Sequence, residues 1–278
     1  MRKYLLVSVL LLLIVFVYYA QAVKKQKTLG VSDISERKIV GLIIPHHDLA
    51  ASLIIDSLDK IKNEGEYKRV VIIGPNHFFP ERETVITSAV LSDYPIDEEV
   101  VGDLNNQFKE VVEDEAVVAN EHSVGIPMKY IREIYPQASF IPLVISPYYN
   151  QNSLEAVSGY LSGNLSEDTL FVLAVDFAHN LGIDEALSHN DITIDAIRNF
   201  DTQAILDFSD EYLDSPVATV MFLKIMERLG AGDWQLISST HGSMLGSEPD
   251  MNGTSYVIGT FSKLTTPGGN ELAPSQTW

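Results

Sequence analysis

Three short apolar, β-branched runs, each ending in a histidine-bearing polar turn, constrain this chain more than any other feature. Gly41-Leu42-Ile43-Ile44 leads into Pro45-His46-His47-Asp48, and Val70-Val71-Ile72-Ile73 leads into Gly74-Pro75-Asn76-His77. Phe171-Val172-Leu173-Ala174-Val175 leads into Asp176-Phe177-Ala178-His179. Continuous apolar runs, rather than alternating ones, suit strands buried on both faces, as in parallel sheets. Open α/β sheets bind ligands outside the carboxyl ends of their strands. Imidazoles far apart in sequence are therefore expected to converge at that edge. His122 and His241 lie in other polar segments, and His189 has no comparable context.

Between these runs the pattern changes period. Leu53, Ile54, Leu58 and Ile61 recur at helical spacing. Strands are expected at 39–44, 69–73, 84–87, 139–145, 169–175, 234–237 and 255–261. Helices are expected at 50–63, 96–112, 125–134, 153–161, 191–208 (broken near Asp201) and 217–229. Strands alternating with helices predict a single α/β domain whose central, mostly parallel sheet is flanked by helices.

The N-terminus has a different character. Residues 4–22 are uncharged and mostly apolar, with Arg2 and Lys3 before them and Lys24, Lys25 and Lys27 after. Their length is just enough to cross a bilayer, while Ala20-Gln21-Ala22 resembles a signal-peptidase site. The expectation is a signal anchor or cleaved signal peptide over 1–23, a linker over 24–35, the domain over 36–264 and a disordered tail over 265–278. A membrane-anchored or secreted protein, its domain extracytoplasmic, would follow.

The net charge is −19, and with those five of the 19 basic residues set aside the rest of the chain holds 14 basic against 38 acidic residues. An acidic domain opposes nucleic-acid binding, which needs Lys and Arg against phosphates. Cysteine is absent, which excludes disulfides, thiolate ligands and cysteine nucleophiles. Any metal must be held by His, carboxylate, carbonyl or water. Neither a Walker loop nor Gly-x-Gly-x-x-Gly is present, nor a Gly-x-Ser-x-Gly elbow.

Several residues could carry chemistry. Pro45 stiffens the strand exit before His46. Adjacent His46 and His47 point opposite ways in an extended segment, so at most one is expected as a ligand. Were the chain helical after Asp176, that residue and His179 would share a face; the carboxylate could then orient the imidazole, or simply cap the next element. Glu121-His122-Ser123 precedes a helix, and capping explains Glu121 and Ser123 but not His122. Asp214-Ser215-Pro216 also opens a helix, leaving Asp214 as cap or ligand.

Taken together, these segments resemble the MEMO-like family, also called AmmeMemoRadiSam system protein B. The matching pieces are Ile44-Pro45-His46, Ile73-Gly74-Pro75-Asn76-His77, Glu121-His122-Ser123 with Pro127 and Tyr130, Ile141-Pro142-Leu143-Val144, Asp176-Phe177-Ala178-His179 and Ser255-Tyr256-Val257-Ile258-Gly259. The resemblance implies a fold like that of class III extradiol dioxygenases, whose iron is held by two His and one carboxylate. It implies His46 and His77 as metal ligands, and His122, Asp176 and His179 at substrate-binding and acid–base positions. The MEMO branch commonly has a cysteine near the start of the helix at 217–229; here Asp214 falls near that place and would be the third ligand. The implied cofactor is a divalent metal, iron first, with copper or zinc as alternatives. His47 departs from the family's usual small residues and, with His241, stands as a modifier. Three functions follow: an iron- or copper-dependent oxidoreductase-like enzyme, a non-catalytic metal- or ligand-binding module, and a metal-dependent hydrolase. A small molecule or peptide is the expected ligand class.

Overall fold

The computed structural model describes residues 36–82, 84–165, 168–246 and 252–265. In chain order its elements are β1 (Glu36–Ile44), α1 (Ala51–Ile61), β2 (Arg69–Pro75), β3 (Val85–Thr87), α2 (Glu98–Gln107), β4 (Val111–Glu113), α3 (Glu115–Asn120), α4 (His122–Ile134), β5 (Ser139–Ile145), α5 (Gln151–Asn164), β6 (Thr169–Ala174), α6 (Ile183–Arg198), α7 (Thr202–Leu206), α8 (Pro216–Arg228), β7 (Asp233–His241) and β8 (Ser255–Thr265). The strands form one sheet in the order β4-β3-β5-β2-β6-β1-β8-β7. Pairings β1/β6, β2/β6, β2/β5 and β3/β4 are parallel; β3/β5 and β7/β8 are antiparallel. The expected α/β domain with a mostly parallel sheet is what the chain forms.

Alternation along each central strand feeds two cores. Val71 and Ile73 of β2, with Phe171 and Leu173 of β6, join the cluster under α2, α5, α6, α7 and α8. Val70 and Ile72, with Leu170 and Val172, join the cluster under α1, α3 and α4. Both faces of the sheet are thus covered, which is why the strands read as unbroken apolar runs.

Two local expectations change, and one open alternative is decided. The helix expected over 96–112 ends at Gln107, and Val111–Glu113 pairs with β3 instead. The helix expected from 191 begins at Ile183, and its break comes where Asp201 caps α7 by accepting the Ala204 N–H at 3.1 Å. Residues 175–179 are not helical, because Phe177 N–H donates to the Ser255 carbonyl and Ser255 N–H donates to that of Ala178.

One placement is corrected. Among the described residues no helix is long and apolar enough to cross a membrane. The longest, α6, has 16 residues and carries Asp184, Glu185, Asp191, Asp195 and Arg198. The expected membrane-anchored or secreted domain is therefore withdrawn. The segment 4–22, the linker 24–35 and the tail 266–278 lie outside the described residues.

Candidate metal centre

β2, β6 and β1 lie side by side and parallel, with Ile44 opposite Ala174 and Ile73 opposite Leu173. Their carboxyl ends therefore deliver His77, Asp176 and His46 to one edge of the sheet. His122, the first residue of α4, completes the group. His46, His77 and His122 each offer a ring nitrogen, and these three atoms lie within 4.8 Å of one another.

Two imidazoles have their Nδ1 atoms held by protein oxygens. His46 Nδ1–H donates to the Ala174 carbonyl at 3.3 Å, and its backbone N–H donates to Asp176 Oδ1 at 3.2 Å. His77 Nδ1–H donates to Glu121 Oε1 at 2.9 Å, and its backbone N–H donates to Oε2 at 2.9 Å. A metal-ligating histidine commonly gives its second N–H to a carbonyl or carboxylate in this way. His122 stacks on His77, with ring centroids 4.3 Å apart, and its Nδ1 is 3.4 Å from Glu121 Oε1.

Glu121 was expected only as a helix cap, and it does cap α4, accepting the Ser123 N–H at 3.1 Å. The same buried carboxylate also orients His77. Burial alone would raise its carboxyl, but the two His77 hydrogen bonds and that of Ser123 hold it below the usual range. Ser123 ties α4 to β2 by donating to the Pro75 carbonyl at 2.7 Å. The close approach depends on Gly74, whose added Cβ would lie 2.8 Å from Ser123 Oγ and 3.1 Å from the Ser123 carbonyl oxygen.

Burial pushes the His46 imidazole down to about 4, opposed by Asp176 and reinforced by His77 and His122. Burial, then His77, lowers His122 as well. Neutral imidazoles are the form that binds metals.

On the other side of His46 stand two carboxylates. Asp214 Oδ2 is 3.3 Å from His46 Nε2, and Asp176 Oδ2 is 3.7 Å from the same atom. Asp214 does not cap α8, whose N-cap is Ser215; its N–H donates to the Asp176 carbonyl at 3.2 Å. Asp214 Oδ1, Asp214 Oδ2 and Asp176 Oδ2 are buried without a hydrogen-bond partner among the described residues. Burial, with Asp176 next, raises the Asp214 carboxyl well above its usual value. Asp176 is also fully buried, yet His46 and then His47 overcome that burial and keep its carboxyl low. Two adjacent buried carboxylates split in this way when both cannot ionise.

His47 Nδ1 is 3.0 Å from Asp176 Oδ2 and 3.2 Å from the Tyr256 hydroxyl. Asp176 raises its imidazole. His179 follows in the same loop as Asp176, its N–H donating to the Asp210 carbonyl at 2.9 Å and its buried Nδ1 lacking a partner among the described residues. Two histidines lie elsewhere and hold structure. His241 accepts the Ser243 N–H at Nδ1, 3.3 Å away, and donates from Nε2 to the Leu181 carbonyl at 3.2 Å. His189 donates to the Glu211 carbonyl at 2.8 Å and stacks on Tyr212.

Nitrogen and carboxylate donors meeting at a buried point, without thiolate, fit iron, copper or zinc. The two Asp214 oxygens, without a hydrogen-bond partner among the described residues and beside His46 Nε2, are an observation a cation would satisfy.

This is an α/β protein with a three-imidazole group at the carboxyl edge of its sheet. Residues 19–256 match the family model described as Memo-like protein, and the chain belongs to that family. A MEMO1 family protein of Aquifex aeolicus is 29% identical over 150 residues, covering 51% of this chain and 40% of that protein; the match thus spans less than half of that relative's length. One from Methanopyrus kandleri is 22% identical over 258 residues, covering 83% of this chain and 88% of its own. An uncharacterized protein of Escherichia coli K12, known from its crystal structure, shares the fold with a TM-score of 0.52 and 14% identity, over 80% of this chain and 99% of its own. The family has a dioxygenase-like fold.

Proposed function

We propose that this protein binds a divalent metal through His46 and His77, with His122 and Asp214 completing the donor set, and works as an oxidoreductase-like enzyme. Iron is the first choice, copper or zinc the alternatives. One observation carries this reading: His46, His77 and His122 each offer a ring nitrogen within 4.8 Å of the others, while Nδ1 of His46 and Nδ1 of His77 are tied to a carbonyl and a carboxylate. An ion held by imidazoles and a carboxylate supplies open positions for a small ligand.

The chain's own groups then divide the work. Glu121 fixes the His77 tautomer and ring. Asp176, ionised and buried, can hold a proton at the His47 imidazole. His179 offers a second proton carrier with an uncommitted Nδ1. These groups favour catalysis over a metal store, which needs no acid–base residues. A small molecule or peptide would reach the site past the exposed parts of His47, His77 and His122.

The test is elemental analysis of the full chain expressed with iron, copper or zinc supplied. Bound metal is expected in the wild type, with loss in His46→Ala and His77→Ala. A wild-type chain that binds none of the three ends this reading.

A further inference from the structure

The turn between β1 and α1 carries His46 and His47, and no side-chain cap holds it. The short helical turn Asp48–Ala50 starts from His47 and α1 starts from Ala50, neither with a capping side chain. His46 has its own bonds to the Ala174 carbonyl and Asp176, but Asp48 lies two residues further on, with its side chain 65% exposed. That carboxylate is tied down from α4. The Tyr130 hydroxyl donates to Asp48 Oδ1 at 2.9 Å. Lys129 Nζ donates to the Tyr130 hydroxyl oxygen at 3.4 Å, which leaves the phenolic hydrogen for Asp48. The Tyr130 ring is buried in the core cluster under α1, α3 and α4, so its hydroxyl is a donor on a fixed post. A hydrogen bond from such a donor to a carboxylate is charge-assisted and directional. The exposed Lys129–Asp48 pair at 3.7 Å adds little beside it.

We infer that Tyr130 is a positioning residue for the metal centre: by pinning Asp48, it lets α4 set the spacing between the strand exit that carries His46 and the one that carries His77. The two exits do not touch through the sheet, because β6 lies between β1 and β2. α4 reaches both. At its start Glu121 holds His77, and Ser123 Oγ donates to the Pro75 carbonyl at 2.7 Å. Tyr130 follows about 12 Å further along the helix axis and holds the β1 exit. Because His122 is the first residue of the same helix, one rigid element gauges all three imidazoles. This inference rests on the metal reading above and adds to it a residue that touches neither ion nor imidazole.

The experiment measures copper(II) affinity of the full chain by chelator competition, and the copper(II) electron paramagnetic resonance spectrum of the loaded protein. Tyr130→Phe removes one hydroxyl and keeps the buried ring. It should weaken copper(II) by roughly tenfold, the lower end for a partner outside the ligand set, and shift the spectrum. Asp48→Ala, at an exposed position, should do the same and serves if Tyr130→Phe fails to fold. The double variant should lose no more than either single one, since both remove one bond. Asp48→Asn keeps the acceptor oxygen and should keep the wild-type affinity and spectrum. A Tyr130→Phe chain with a lower melting temperature but wild-type affinity and spectrum overturns the inference and leaves the metal reading standing. Additive losses in the double variant overturn it as well. An Asp48→Asn chain that behaves like Asp48→Ala assigns the effect to charge and also overturns it. A wild type that binds no copper(II) overturns it together with the copper form of the metal reading.

Discussion

Glu121 takes both the backbone N–H and the ring Nδ1–H of His77, each at 2.9 Å, while capping α4 through Ser123. One carboxylate therefore couples the start of a helix to the end of a strand and to the aim of an imidazole. Glu121→Gln retains an oxygen for the cap but loses the ionic acceptor for His77. Metal affinity should fall about 10- to 100-fold, the usual cost of losing an outer partner of a ligand, with the fold kept. A competition titration against a chromophoric chelator measures it.

Gly74→Ala tests the packing beneath the site. The added methyl meets Ser123 Oγ and its carbonyl at 2.8 and 3.1 Å, and the carbonyl cannot swing aside. Overpacking of this kind costs about 1–3 kcal/mol. The melting temperature should fall, and metal affinity with it, since α4 carries His122.

Stability should depend on pH through His46. Its imidazole lies near 4 in the folded protein against an ordinary 6.5. Between those values the unfolded chain binds a proton that the folded one refuses, so the metal-free protein loses stability as pH falls from 6.5 towards 4. The full shift corresponds to about 3 kcal/mol. Asp214, raised in the fold, acts oppositely, adding stability at low pH that is lost as pH rises through its folded value. The His46 part is isolated by comparison: His46→Gln should flatten the slope of urea-unfolding stability between pH 6.5 and 4. An unchanged slope would count against the assigned burial effect.

His241 should behave as structure. Its ring bridges Leu181 and Ser243 in a buried corner, and a Cβ on Gly253 would come within 2.8 Å of it. His241→Ala should cost about 1–3 kcal/mol from stranded polar groups and leave the number of bound metal ions unchanged. Loss of metal at native stability would refute that assignment.

The strands that build the site were legible because β1, β2 and β6 are buried on both faces, and His46 and His77 follow directly on two of them. The shorter β4 was not. Val111 and Val112 continue the apolar spacing of α2, and only pairing with β3 makes them a strand. The conformation after Asp176 was left open between helix and cap for a similar reason, since its partner, Ser255, is supplied from far along the chain. Asp214 lies 168 positions from His46, and local pattern left it as cap or ligand without linking it to that histidine. Glu121 showed its cap but not its second duty, because no spacing links it to His77.

The three imidazoles differ in access: the side chain of His46 is 1% exposed, against 33% for His77 and 36% for His122. An ion can thus approach and depart only from the His77–His122 side, with His46 as the rear wall. Exchange rates and equilibrium affinity should accordingly answer to different residues. Changes at the open rim will alter how fast the site loads, and changes around His46 will alter how long it stays loaded.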